Sequence, residues 1–418
     1  MRKEKVLQAL LIVSRFILGL VFIFSGFVKG VDPMGSAYKF SDYFNAFNLA
    51  FLDPLAIPLA FVLAAAEFLI GVSLIFRFRF QLAAWAVTVF MGFFTVLVLI
   101  LALTNPVSDC GCFGDAIIMT NWQTFFKNII LLPFVFIVFF YRKDQAEPWS
   151  PFYSLGSLLV FGFLFLALEA QAYRHLPQMD FRPYSLGTHI PDKMTIPEGA
   201  LQDEYQTLLY YEKDGKIQEF TEENFPWEDT AWTYVDSRHS LISKGYEPPI
   251  HDFTIADEYE NDITNDILAD EGFSFLLVTT HIGKADPEAL IYADKLASWS
   301  VAKGHSFYCM SSSVEDEIIQ AREDTNIGFE IYTTDEITLK TIIRSNPGLL
   351  LIKNGTIMGK WHYNDFPAIE EMDKGLTSFV MTGLRKDIEK RSLGIFIALF
   401  LIISAFLIYT PFGRNNSR

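Results

Sequence analysis

Cysteine is scarce in this sequence, and the motifs that identify many enzymes are missing. Only three of the 418 residues are cysteine, and no Gly-rich phosphate loop, Ser-x-x-Lys or Gly-x-Ser-x-Gly sequence occurs. The histidines have no ligand spacing and no second cysteine pair is present, so no metal site is predicted. The net charge of −16 disfavours nucleic acid as a partner. These absences set aside phosphate-loop, serine-nucleophile, zinc and nucleic-acid-binding functions.

Long apolar runs, by contrast, are abundant. A membrane-spanning helix needs about 20 apolar residues. Six segments qualify: residues 6–28, 54–76, 81–104, 122–141, 151–170 and 393–411. The first is too long for a signal peptide and lacks a small-residue cleavage site before Lys29. Residues 171–384 instead carry 37 Asp and Glu against 16 Lys and Arg. The sequence therefore predicts a polytopic α-helical membrane protein with a large acidic domain in water.

Basic residues near the ends of the apolar segments predict the orientation in the membrane. They precede the first segment, separate the second from the third and follow the fourth: Arg2, Lys3, Lys5, Arg77, Arg79, Arg142 and Lys143. The positive-inside rule places these groups and both termini in the cytoplasm, and the acidic domain in the periplasm of a bacterium. The basic residues within 385–391 oppose this orientation, but translocation of a long domain overrides such charges.

Two of the three cysteines lie in one short motif, residues 109–115, with the sequence Asp-Cys-Gly-Cys-Phe-Gly-Asp. A disulfide between Cys110 and Cys112 would close a small, strained ring, so we expect it to be more reducible than a relaxed bridge. Redox exchange is one interpretation of this motif, and a tight structural turn is the other. A metal site is disfavoured because no further ligands are near in the sequence.

Three charged residues near the motif could influence its thiols. Lys29, at the same membrane interface, could lower a thiol pKa, or its ammonium could simply extend to the interface. Asp109 and Asp115 oppose activation because negative charge raises a thiol pKa.

Two further charged residues lie within apolar segments. Arg15 and Glu67 are each about nine residues from the cytoplasmic end of their segments. Because a helix rises about 1.5 Å per residue, the two side chains are predicted at the same depth in the membrane. This matching depth predicts an ion pair between them, because an unpaired charge there is costly. The pair would either fix the register of two helices or form a proton path or a polar wall for a bound quinone.

Residues 1–143 resemble the DoxX and MauE group of four-helix bacterial membrane proteins. The resemblance is carried by Arg15, Leu18-Gly19, Ser25-Gly26, Lys29, the run from Ala66 to Gly71, and the motif from Asp109 to Gly114. It implies a four-helix bundle associated with periplasmic thiol and disulfide chemistry, with electron transfer to a quinone, or with maturation of exported redox proteins.

The remaining chain divides into four predicted parts. Residues 144–172 form a fifth transmembrane helix, and residues 385–418 a C-terminal transmembrane anchor. Residues 173–249 form a strand-rich exported linker, with a hairpin across residues 210–217 at an Asp-Gly turn. Residues 250–384 begin with a short hairpin of residues 251–255 and 262–264. Strands at 273–279, 306–310 and 329–332 then alternate with helices at 287–303, 314–325 and 335–343, and an antiparallel hairpin of 349–353 and 356–361 follows around Asn354-Gly355.

The region 250–384 resembles the thioredoxin fold in its peroxiredoxin-like and TlpA-like form. Asn346-Pro347-Gly348 stands where that family carries a cis proline. The family's Cys-x-x-Cys is replaced by residues 281–284, His-Ile-Gly-Lys, so its dithiol chemistry is not carried over. We expect the surface near Pro347 to bind an extended peptide, and Cys309 to be a core thiol.

The sequence predicts a protein of the bacterial inner membrane that supports thiol–disulfide exchange or maturation of exported proteins. Cys110 and Cys112 are the predicted reactive pair, and an exported thiol protein or a partner oxidoreductase is the predicted substrate. Any enzyme activity would be that of a thiol–disulfide or quinone-linked oxidoreductase. The alternative is a non-catalytic scaffold or subunit of a cell-envelope membrane complex, docking through its exported domain.

Overall fold

The computed structural model describes residues 2–107, 109–145 and 147–383. Its first part consists of six helices: α1 (Arg2–Val31), α2 (Pro33–Ala46), α3 (Ala56–Phe76), α4 (Phe80–Thr104), α5 (Asn121–Phe140) and α6 (Pro151–Arg174). A short 3-10 helix, Ala50–Leu55, leads into α3. In the described ranges, five helices are long and apolar enough to cross a membrane, namely all of these except α2. They confirm the first five predicted segments, whereas the sixth and the predicted anchor at 385–418 lie outside the described residues.

Glycines allow the backbones of α1 and α3 to approach each other closely. A Cβ added to Gly71 would lie 2.7 Å from the carbonyl oxygen of Gly19, and one added to Gly26 would lie 2.6 Å from the backbone nitrogen of Phe68. Such close approach is possible only without side chains at the crossing. It fixes the register of the antiparallel pair, with Gly19 level with Gly71 and Gly26 level with Phe68.

Helix α2 is an element that the sequence analysis missed. No element was predicted between the first two apolar segments, but Asp32 caps a helix whose first residue is Pro33, accepting a hydrogen bond from the Gly35 amide at 2.9 Å. Ala37 and Phe44 of α2 pack in a small apolar cluster with the start of α3. The helix therefore lies across the end of the bundle at which α1 ends. We call it the cysteine end, because the loop of residues 105–120 lies there too.

A three-stranded antiparallel sheet follows. After the short helix α7 (Ile190–Met194), its strands are β1 (Glu204–Lys213), β2 (Lys216–Thr221) and β3 (Thr233–Ser243), in the order β2-β1-β3. Asp214 and Gly215 form the two-residue turn between β1 and β2 with positive φ angles of 54° and 74°, which confirms the predicted hairpin. Most side chains of this sheet are exposed.

The second sheet has five strands in the order β6-β5-β4-β7-β8. Its elements are α8 (Thr264–Leu268), β4 (Phe273–Thr279), α9 (Pro287–Ala302), β5 (Ser306–Ser311), α10 (Glu315–Thr325), β6 (Ile331–Thr333), α11 (Glu336–Ile342), β7 (Gly348–Lys353), β8 (Thr356–His362) and α12 (Ile369–Met372). β4, β5 and β6 are parallel, whereas β7 pairs antiparallel with both β4 and β8. We call residues 250–383 the α/β domain.

The central strand β4 is buried along its whole length because both faces of the sheet are covered. Alternate residues enter two separate cores: Phe275 and Leu277 pack with α9, and Leu276 and Val278 pack on the side of α11. Tyr184 and Ile190, from the segment after α6, join the second core. The α/β domain is thereby anchored to the chain that leaves the membrane helices.

Most of the predicted elements of residues 273–362 are found within about two residues of their expected bounds. For the short hairpin predicted from residues 251–255 and 262–264, the structure has one antiparallel bridge, between Ala256 and Asp262, and the Ile263 amide donates to the Ile255 carbonyl at 2.9 Å. The pairing goes no further because Thr264 begins α8 and its hydroxyl accepts the Ile255 amide at 2.8 Å. The Asn346–Pro347 peptide bond is cis.

Candidate functional site

The cysteine loop, residues 105–120, connects α4 to α5. Asn105 ends α4 in the left-handed conformation with φ of 45°, and a capping box of Thr120 and Gln123 begins α5. Gly111 and Gly114 also have positive φ, 62° and 51°, which favours glycine at both positions. The Gly114 amide donates to the Gly111 carbonyl at 3.1 Å, so the loop folds back directly around the two cysteines.

The sulfur atoms of Cys110 and Cys112 lie 2.8 Å apart, and both cysteines are half-buried. Side chains from two helices hold the backbone on each side of them. The Tyr43 hydroxyl of α2 donates to the Cys110 carbonyl at 2.7 Å, and the Ser25 hydroxyl of α1 donates to the Cys112 carbonyl at 2.8 Å. Within the described part of the chain, no three His, Cys, Asp or Glu side chains cluster as metal ligands would.

The two thiols are electrostatically unequal. A hydrogen bond from the Cys112 thiol lowers the pKa of Cys110 to about 6; burial opposes this shift, and the positive charge of Lys127 adds to it. The same hydrogen bond and burial raise the pKa of Cys112 well above its ordinary value. Near neutral pH the arrangement therefore gives a Cys110 thiolate beside a Cys112 thiol.

Lys29 reaches the loop through Ser25. Its ammonium donates to the Ser25 hydroxyl at 2.9 Å and to both carboxylate oxygens of Glu67 at 2.9 and 2.7 Å. Both charged side chains are less than a tenth exposed. The result is a buried chain from the Glu67 carboxylate through Lys29 and Ser25 to the backbone of Cys112.

The predicted ion pair between Arg15 and Glu67 is wrong, since the Glu67 carboxylate is occupied by Lys29. The register explains the difference. Gly26, three residues before Lys29, is level with Phe68. Arg15 lies in the other direction along α1, 11 residues before Gly26. At about 1.5 Å per residue this separates Arg15 from Glu67 by about three helical turns. The estimate from segment ends failed because α1 begins at Arg2, before the apolar run.

Both aspartates of the motif accept hydrogen bonds from cations. Lys39 of α2 donates to Asp109 at 2.7 Å, and the Gly111 amide donates to the same carboxylate at 2.9 Å. Asp115 accepts from Arg344 at 2.7 Å. Burial raises the pKa of Asp115, although the positive charge of Arg344 opposes that shift. The two carboxylates thus fix the loop to α2 and to the α/β domain.

Arg344 is the residue that joins the two parts of the molecule. It follows α11 and is buried, with its guanidinium against Asp32 at 2.9 Å, against Asp115 at 2.7 Å and over the ring of Tyr38 at 5.2 Å. Burial would raise the pKa of Asp32, but the charges of Arg344 and Arg182 outweigh it and lower that pKa. Sequence reasoning missed Arg344, because a single arginine between a helix and Asn346-Pro347 carries no pattern that indicates a distant carboxylate.

An open cleft of about 660 Å³ lies beside Arg344, between the cysteine end and the α/β domain. Tyr38 and Tyr173 line it from the membrane helices, and Asn346 and Lys284 from the α/β domain. Asn346 is fixed by its side chain, which accepts from the Thr279 hydroxyl at 2.7 Å and donates to the His281 carbonyl at 3.0 Å. The segment before Pro347 thus borders this cleft, while Pro347 itself is buried. Cys309, predicted as a core thiol, is fully buried, and burial raises its pKa.

The apolar helices define a multi-pass membrane protein. Residues 7–141 match the family described as methylamine utilisation protein MauE, so this part of the chain is similar to that family. Residues 205–244, which contain the three-stranded sheet, match a domain of unknown function, DUF8463. No curated protein matches the chain, and no solved structure matches it.

Proposed function

We propose that Cys110 and Cys112 form a thiol–disulfide exchange site at the periplasmic face of a bacterial inner-membrane protein. The observation that carries the proposal is the 2.8 Å separation of the Cys110 and Cys112 sulfur atoms. The hydrogen bond between them, which lowers the pKa of Cys110 to about 6, supports it. A thiolate is the form that attacks a disulfide, and a second thiol close by resolves the product. A loop whose role was only to form a tight structural turn would not require the two sulfur atoms to face each other.

The proposed exchange with an exported disulfide protein has two steps. The Cys110 thiolate attacks one sulfur atom of the partner disulfide, which breaks, and the partner's other sulfur leaves as a thiolate. Cys112 then loses its proton and attacks the Cys110 sulfur, which forms the disulfide here and releases a reduced partner. The reverse sequence oxidises an exported dithiol, after which a lipid-soluble quinone could take up the two electrons and two protons.

The α/β domain is proposed to be a thioredoxin-like binding module without a dithiol. The order of its elements supports this likeness: parallel β4 and β5 connected by α9, and an antiparallel hairpin β7–β8 beside β4. Its residues Arg344 and Asn346 border the open cleft, and Arg344 also binds Asp115 of the cysteine loop. A partner bound there would approach Cys110. The matched family's description, methylamine utilisation, is compatible with maturation of an exported redox enzyme.

The test is capture of a mixed disulfide in intact membranes. Cys112→Ser keeps a hydroxyl donor beside Cys110 and removes the resolving thiol, so partner proteins should accumulate on Cys110 as adducts that reductant releases. The double variant with Cys110→Ser and Cys112→Ser should capture none, and Cys309→Ser, which removes a buried thiol, should behave as the parent. Absence of adducts from Cys112→Ser, or equal capture by the double variant, would contradict the proposal.

A scaffold function is the second candidate, and one observation favours it. Among the residues that the structure describes, the sheet of β1, β2 and β3 pairs with no other strand, and it exposes large side chains such as Tyr205, Tyr234 and Ile242. Such a surface is typical of a docking element. If a stable partner copurifies and its amount is indifferent to Cys110→Ser, the scaffold function is favoured over exchange.

A further inference from the structure

Helix α6 buries a polar group that the proposed exchange does not use. The residues of α6 that face the bundle recur at helical spacing: Gly162, Phe165, Glu169 and Ala172. Glu169 is fully buried, and neither of its carboxyl oxygens has a hydrogen-bond partner within the residues that the structure describes. Polar side chains in a membrane interior normally have such a partner, so this one needs an explanation.

Aromatic side chains one helical turn away on either side flank this carboxyl group. Phe165 stacks on Phe68 of α3 with ring centroids 4.4 Å apart, and it fills the space above Gly30 of α1. Tyr173 packs edge-on against Phe61 of α3 at 5.9 Å. The surroundings of Glu169 are therefore apolar as well as closed.

Charged and titratable groups on the helices packed against α6 are engaged with other residues or lie at another depth. Among the side chains that the structure describes, they are Lys5, Arg15 and Lys29 of α1, Asp32, Tyr38, Lys39, Asp42 and Tyr43 at α2, Glu67 and Arg77 at α3, and Tyr153, Tyr173 and Arg174 of α6 itself. Lys29 is bound to Glu67, Asp32 to Arg344, and Lys39 to Asp109. None of them donates a hydrogen bond to Glu169. An ionised carboxylate would thus be buried without a counter-charge, whereas the protonated acid is tolerated.

We propose that Glu169 is a proton-binding site inside the membrane domain, neutral in this arrangement of the helices and able to release its proton when the end of α6 moves. The step is the simple equilibrium between a carboxylic acid and a carboxylate plus a proton taken up by water. This site is independent of the thiol exchange proposed above.

The α/β domain holds the end of α6 in place. The Asn364 side chain donates to the Arg174 carbonyl at 2.7 Å, and His175, the cap residue of α6, contacts Asp365 at 2.7 Å. Glu169 lies five residues before Arg174, about 7.5 Å along the helix. Loss of the two contacts would free the last turns of α6 and admit water to the acid.

The test uses infrared spectroscopy of the full-length protein in lipid nanodiscs. A protonated Glu169 gives a carboxylic acid C=O band that disappears in Glu169→Gln and remains in Glu67→Gln, the matched control. On transfer to D₂O the band shifts as the acid proton exchanges. We expect this shift to be at least about tenfold faster in the double variant Asn364→Ala with Asp365→Ala. Asp373→Ala, which breaks a surface ion pair with Lys303, should leave the rate unchanged.

Two results would overturn the proposal. If no acid band is lost in Glu169→Gln, the group is ionised; mapping of a hydrophobic carbodiimide adduct on unmutated Glu169 checks this without any variant, since the reagent modifies protonated carboxyls in apolar surroundings. If the band is present but exchanges equally fast in the parent and in the Asn364 and Asp365 double variant, proton release is not controlled by the end of α6.

Discussion

The cysteine loop and the α/β domain meet at one junction but are built in opposite ways. The loop has almost no core of its own and is positioned by single hydrogen bonds from Ser25, Tyr43 and Lys39. The α/β domain has two apolar cores, and its own cysteine, Cys309, is buried in one of them. The cysteines of the proposed exchange site therefore lie on the part with few packing contacts, and the proposed binding surface lies on the part with two cores. Arg344 joins the two parts.

The largest effect is expected from removal of that joint. Arg344→Ala leaves Asp32 and Asp115 near each other without their cation, and breaking a buried ion pair in this way costs about 3–5 kcal/mol. We expect a much lower unfolding temperature and new protease cleavage between α6 and the α/β domain. Arg322→Ala, at an exposed arginine of α10, is the control and should change neither. Equal stability of the two variants would show that Arg344 does not hold the parts together.

The second largest effect is expected on the pKa difference between the Cys110 and Cys112 thiols. Below a pH of about 6 Cys110 takes up a proton, so its alkylation slows, and above that pH it proceeds as a thiolate. Cys112→Ala removes the hydrogen bond that lowers this pKa, so the pH profile should move to higher pH and the rate at pH 7 should fall at least about tenfold. Cys112→Ser keeps a donor and should shift less. Identical profiles for parent and Cys112→Ala would mean that Cys112 does not tune Cys110.

A smaller effect is expected where α2 holds the loop. Tyr43→Phe removes the hydroxyl that donates to the Cys110 carbonyl and should cost about 0.5–1.5 kcal/mol of unfolding free energy. Denaturant unfolding measures this loss. Tyr153→Phe, at an exposed tyrosine near the other end of the bundle, should cost nothing measurable.

The smallest effect concerns the three-stranded sheet. Its ends meet, because the Tyr246 amide donates to the Leu201 carbonyl at 2.7 Å. Replacing residues 203–244 with a short Gly linker should therefore leave the unfolding temperature of the α/β domain unchanged. A clear loss would show that the sheet supports the rest of the fold.

Features of the fold that depend on residues close together in the sequence were predictable, whereas those that depend on residues far apart in the sequence were not. The bounds of β4 and the turns at Asp214-Gly215 and Asn354-Gly355 were predictable, because burial on both faces and left-handed turns leave local patterns. Helix α2 was missed because its apolar residues are few and its cap is a lone Asp32.

Partners across the molecule could not be predicted in the same way. Lys29 rather than Arg15 binds Glu67 because glycine contacts between α1 and α3 set the register, which segment lengths do not reveal. The motif of Cys110 and Cys112 was recognisable, but the hydrogen bonds from Ser25 and Tyr43 come from residues far away in the chain.

An exchange site requires Cys110 and Cys112 to change redox state together. Differential alkylation of the two cysteines measures this in intact membranes equilibrated over a series of dithiol–disulfide redox buffers, with Cys309→Ser as background. We expect one two-electron transition in which both cysteines become protected at the same potential. If both remain alkylated, or both remain protected, across the whole series, the loop is structural and the exchange function is wrong.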